Sequence, residues 1–127
     1  MHSFRINGDH WVVRMVDRSC NALIDRTGER RLATTDPKTM TVYLSADLSG
    51  EMLTRVLIHE IGHCVMWSHD LIGELRQMVK PRYWIQAEEW VCNLIADYGM
   101  EIYRAASAVI GSNALMLIPD ALDRIAA

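Results

Sequence analysis

The chain has 127 residues, half of them apolar and 23% charged, with a formal net charge of −3. That length and balance suit one folded domain with a real core and exclude a disordered chain. The longest basic run is Arg30 and Arg31, so neither nucleic acid nor an anionic membrane surface is expected as a partner.

The N-terminus has no basic stretch leading into an apolar core, and no segment reaches the roughly 18 apolar residues of a membrane span. A cytoplasmic location is expected. The cysteines, Cys20, Cys64 and Cys92, are odd in number and lack CxxC spacing, which argues for free thiols in a reducing compartment rather than a disulfide framework. Cys64 and Cys92 read as small buried hydrophobes.

In chain order, two apolar runs, Phe4 to Ile6 and Trp11 to Val16, flank Asn7-Gly8-Asp9. Asn-Gly between such runs is a strong hairpin signal. His10 lies beside this turn and reads as solvated. Ala22 to Asp25 and Arg31 to Thr35, separated by Thr27, Gly28 and Glu29, make a second short hairpin plausible. After the turn at Asp36, Pro37 and Lys38, the β-branched and aromatic run Met40 to Ser45 predicts a strand.

A helix is expected from about Gly50 to Trp67, with Ser49 as N-cap and Glu51 favourably placed in the first turn. Leu71 to Val79 reads as a shorter helix stopped by Pro81. Tyr83 to about Tyr103 again has helical periodicity, and Ser107 to Ile118 and Asp120 to Ala127 suggest one or two C-terminal helices. No repeat or linker divides the chain, so residues 1–127 are expected to form a single domain. The fold class is α+β: an N-terminal antiparallel sheet of three to five strands, then a central helix and two to three more.

The chemistry concentrates in that central helix, where His59, Glu60 and His63 spell HExxH. Helical spacing puts both imidazoles on one face, able to reach one metal ion, with Glu60 offset by about 100°. A carboxylate so placed suits a general base that takes a proton from water activated by the metal. By chance the motif occurs in on the order of a few per thousand chains of this length.

A catalytic zinc has three protein ligands and an open position. The expected third ligand is Glu89, on the next long helix. Asn93, four residues later on the same face, would accept a hydrogen bond from the unbound ring nitrogen of His59 or His63. The alternatives are Glu88 and His69. His69 stands six residues after His63, as in HExxHxxGxxH enzymes, but Met66 occupies the position of the glycine that lets the chain turn back.

These residues resemble the gluzincin type of zinc metallopeptidase, whose thermolysin-like members carry aspartate where this chain has Asn93. The order of strands, HEIGH helix and helix with ExxxN is similar to compact zincin domains of phages and mobile elements, related in pattern to proteases that cleave phage-type repressors. The resemblance covers roughly Met40 to Tyr103. It implies that the strand before the metal helix, Met40 to Ser45, is an edge that holds an extended substrate backbone.

The expected function is therefore that of a zinc (Zn2+) dependent peptidase or amide hydrolase acting on a protein or peptide, with Glu60 as general base and His59, His63 and Glu89 as metal ligands. Tyr83, Tyr98, Tyr103, Arg82 or His69 would supply the donor for the oxyanion. The alternative is a zinc-stabilised protein-binding module, of antirepressor or inhibitor type, without catalysis.

Overall fold

The computed structural model describes residues 2–111. Its element order is β1 (His2–Ile6), β2 (Asp9–Val16), a 3-10 turn at Asn21–Leu23, β3 (Ala33–Asp36), β4 (Thr41–Ser45), α1 (Gly50–Ser68), α2 (Leu71–Met78), a 3-10 turn at Pro81–Tyr83, and α3 (Trp84–Ile110). The chain divides into two compact units after Ala96. The first holds the sheet, α1, α2 and α3 as far as Ala96. The described part of the second is the rest of α3 and Gly111, where Tyr98, Ile102 and Val109 are exposed.

The α+β architecture matches the expectation, and the four strands lie in the order β1-β2-β4-β3. The sheet is mixed rather than antiparallel throughout. β1 with β2 and β3 with β4 are antiparallel, but β2 and β4 run parallel, Val12 beside Thr41 through Val16 beside Ser45. β4 is thus an interior strand and β3 is the edge, which corrects the expectation that Met40 to Ser45 lies at the margin. Burial agrees: Thr41, Val42, Leu44 and Ser45 are all buried, the near-continuous pattern of a strand covered on both sides.

The hairpin between β1 and β2 turns through Asn7 and Gly8, both at positive φ (48° and 83°), as a two-residue type I′ connection requires. The second expected hairpin is reduced to a single bridge between Ile24 and Arg30, because Asn21–Leu23 coils into a 3-10 turn. The intervening loop is built on one carboxylate. Asp25 Oδ1 accepts from the amides of Thr27 (2.8 Å) and Glu29 (3.0 Å), and Oδ2 accepts from Arg31 Nε at 2.8 Å.

Alternation in β2 buries Trp11 and Val13 on one face, where they join Val42, Leu44, Leu48 and Cys64 as the main core. From α1, Leu53, Val56 and Leu57 pack against it at helical spacing. Each large apolar side chain so buried contributes about 1.5–3 kcal/mol. The second cluster, Met66, Ile72 and Cys92 with Leu71, Leu75 and Val91, joins α1, α2 and α3.

α1 ends one residue beyond its expected limit, with Ser49 as N-cap and His69 as C-cap. Asp70, in the left-handed region, then turns the chain into α2. α3 runs further than expected and takes in Ser107 to Ile110. The remainder of the expected helix to Ile118, and that from Asp120 to Ala127, lie outside the described residues. Among the described residues, no helix is long and apolar enough to cross a membrane.

Candidate functional site

α1 and α3 approach closely at Gly62, where an added Cβ would stand 3.2 Å from Cys92 Sγ and 3.5 Å from Cys92 Cα. A side chain at this position would push the helices apart. Their contact brings His59 and His63, one turn apart on α1, against Glu88 and Glu89 on α3.

The two imidazoles meet edge to face, with Nε2 of His63 3.2 Å from Nε2 of His59. Glu89 completes the group, its Oε2 2.9 Å from His59 Nε2 and its Oε1 3.3 Å from His63 Nε2. Ligand atoms about 2.0–2.1 Å from a tetrahedral ion stand about 3.3–3.4 Å apart. Two imidazoles and a carboxylate are a donor set suited to a divalent ion such as zinc, and their separations of 2.9–3.3 Å are at or slightly below that spacing.

Glu60 lies beside this group. It and the two histidines each bring one ligand-type atom within 4.8 Å of the others. Its carboxylate, however, accepts a hydrogen bond from the Thr35 hydroxyl on β3. Glu60 is 6% exposed, and this burial raises its pKa, opposed in part by His63, the Thr35 hydrogen bond and His59. The result is a more basic carboxylate held against the sheet edge.

Glu88 is 3% exposed and serves the opposite nitrogen of His63, its Oε2 2.5 Å from Nδ1. The other oxygen, Oε1, accepts from Arg26 Nη1 at 3.1 Å, while Arg26 Nη2 stands 3.6 Å from Glu89 Oε1. Asn93, expected to orient a histidine, instead accepts from Arg55 Nη2 at 3.3 Å. The orienting acceptor is thus the carboxylate adjacent to Glu89 in sequence, which the imidazole's two nitrogens make possible. One faces Glu88 and the other faces Glu89.

Charge follows geometry. Burial acts to lower the pKa of His63, yet hydrogen bonds to Cys92, Glu88 and Glu89 prevail and push it up to about 12. Glu88 and Glu89 move down, burial being outweighed at Glu88 by His63 and Arg26 and at Glu89 by His59 and His63. Two carboxylates, Glu88 buried and Glu89 half-buried, directed at two imidazoles create a site that favours positive charge, whether a proton or a cation.

The site opens into a cleft of about 1340 Å³, walled by β3, the Asp25 loop, α1 and α3. Of the five side chains expected to include the oxyanion donor, Tyr83, Tyr98, Tyr103, Arg82 and His69, none lines this cleft. Tyr43, Trp67 and Arg26 do. His69 caps α1 and stays outside the group, and His10 is exposed on β2. Arg26 and Thr35 carry no motif, and only the fold brings them to the histidines.

Compared with known protein families, curated proteins and solved structures, the chain matches none.

Proposed function

We propose that this chain is a zinc-dependent hydrolase of peptide or protein amide bonds, with His59, His63 and Glu89 holding the metal and Glu60 acting as general base. The observation that carries the reading is the convergence of two Nε2 atoms and one carboxylate at separations of 3.2, 2.9 and 3.3 Å, with a second carboxylate set to one side. When bound, zinc supplies the positive charge that polarises the scissile carbonyl and lowers the pKa of a water toward about 7.

The chain's own residues perform the rest. Glu60, made more basic by burial, takes the water's proton and delivers it to the leaving nitrogen. Thr35 fixes the direction of that carboxylate. Glu88 accepts the Nδ1 proton of His63 and so turns the Nε2 lone pair toward the centre. Arg26, bonded to Glu88 and near Glu89, favours their charged forms. β3, an edge strand whose residues line the cleft, offers its outer side to an extended substrate backbone.

The test is metal content and cleavage of a peptide library by the wild type and Glu60→Gln. About one zinc per chain is expected in both, with cleavage lost by about 10²–10⁴-fold in Glu60→Gln. Equal cleavage by the two proteins overturns the mechanism. Stoichiometric zinc that raises the melting temperature, with no cleavage by either, favours the zinc-stabilised binding module instead.

A further inference from the structure

The cleft walls carry a charge that the chain as a whole does not. Besides Arg26, which bonds the histidine–carboxylate group itself, they present Arg18, Arg30, Arg31, Arg55 and Arg76 against Asp25 and Asp36, in a chain of formal net charge −3. Part of this charge is answered locally. Arg18 pairs with Asp47 (2.9 Å), Arg31 with Asp25 and Glu29 (2.8 and 2.7 Å), and Arg26 with Glu88 (3.1 Å).

Arg30 and Arg76 differ, since their partners in the structure are neutral. The Arg76 guanidinium lies over the Trp84 ring, 4.9 Å from its centroid. Arg30 is exposed but pinned: its Nη1 donates to the main-chain carbonyls of Arg18 and Cys20, both at 2.9 Å. Those two bonds use one nitrogen. The Nε–Nη2 edge of Arg30 has no partner among the described residues. That edge is a planar two-donor fork matched to a carboxylate, held in place before any ligand arrives.

We propose that the cleft selects acidic peptide segments, with the Nε–Nη2 fork of Arg30 reading an aspartate or glutamate side chain and Arg76 adding to the attractive field. The proposal rests on the hydrolase reading for its ligand, a peptide, and adds the sequence class. Two like-sized peptides differing only in charge separate at such a site, because a charge-assisted fork discriminates more strongly than a neutral hydrogen bond.

The experiment uses the zinc-loaded Glu60→Gln protein, so that bound peptide is not consumed, and fluorescence anisotropy with two fluorescein-labelled decapeptide pools. The pools are identically randomised except for two central positions, glutamate in one and glutamine in the other. The glutamate pool is expected to bind at least about tenfold more tightly, with the advantage shrinking as salt rises. Adding Arg30→Gln should remove most of the advantage, and Arg30→Lys, which keeps the charge and loses the fork, should restore part of it. Arg76→Gln, on a separate helix, should reduce it as well and serves if Arg30→Gln does not fold.

Equal binding of the pools, no binding of either, or an advantage that survives both Arg30→Gln and Arg76→Gln overturns the proposal. The last result would mean that the metal itself holds the carboxylate. Wild-type cleavage separates the two readings. Equal cleavage of both pools sinks the acidic preference and leaves the hydrolase, whereas Arg30-dependent binding of a pool that is never cut sinks the hydrolase and leaves the preference.

Discussion

Replacing Glu88 by glutamine isolates the role of a carboxylate whose two oxygens are both taken by neighbouring side chains. In the folded protein both of its oxygens accept, Oε1 from Arg26 at 3.1 Å and Oε2 from His63 Nδ1 at 2.5 Å. Glutamine has the same shape but one acceptor, so in either orientation its amide N–H₂ faces a donor. If it faces His63, the ring loses the partner that fixes its tautomer, and zinc affinity should fall about 10–100-fold, or about 1.4–2.7 kcal/mol. If it faces Arg26, a guanidinium loses its buried partner, and folding stability should fall by about 1–3 kcal/mol. Competition for zinc against a chromogenic chelator measures the first, and urea unfolding of the metal-free protein the second. Asn93→Ala is the control, since Asn93 bonds Arg55 rather than a histidine, and its zinc affinity should stay within about twofold of wild type. A Glu88→Gln protein with wild-type affinity and stability, or an Asn93→Ala protein that loses zinc, would refute the assignment of the orienting group.

Three further outcomes are expected. Asp25, whose pKa is lowered because hydrogen bonds from Thr27, Arg31 and Glu29 outweigh the opposing effect of burial, contributes stability above the unfolded value of 3.8 and loses it as pH falls through the folded one. Asp25→Asn should therefore cost about 1–2 kcal/mol in urea unfolding at pH 7, with the gap to wild type narrowing below about pH 4; a gap independent of pH would contradict this. Gly62→Val adds methyl groups where even a Cβ lies 3.2 Å from Cys92 Sγ, so thermal unfolding should show a loss of about 1–3 kcal/mol and zinc affinity should drop with it. Of the three cysteines, Cys64 and Cys92 are fully buried, and burial pushes the Cys64 thiol up to about 12. Iodoacetamide and mass spectrometry should accordingly find one modified thiol, Cys20, in the native protein and three after denaturation.

How much of this was legible beforehand depended on how local the cause was. α1 was legible because a 3.6-residue apolar period and an N-cap serine are local, and so was the first hairpin, since Asn7-Gly8 admits few other turns. The parallel pairing of β2 with β4 was not. Residues 17–40 separate the two strands, and the order in which strands join a sheet is decided by the packing of whole faces rather than by any one run. That is also why β3, a four-residue strand, took the edge expected of β4. At the site, motif spacing singled out His59, Glu60, His63 and Glu89, which the fold does bring together. Helix spacing points to Asn93 as the orienter and to Glu88 only as an alternative ligand, because i+4 counting says nothing of which nitrogen of an imidazole each neighbour meets. The ring has a nitrogen on each side, and the two adjacent glutamates meet one each. Arg26 had no local signal at all.

The contact between Arg26 and Glu88 spans 62 residues, and its consequence is kinetic. Loop-closure entropy makes pairings this distant slow to form, and the parallel strand pair adds a second non-local step. A chain still emerging from the ribosome holds His59 and His63 well before it holds Glu88 and Glu89, and so lacks the assembled histidine–carboxylate group. The histidine–carboxylate group is complete only once these non-local contacts form, and on the proposed function recovery of activity after dilution from denaturant should lag behind recovery of helical signal.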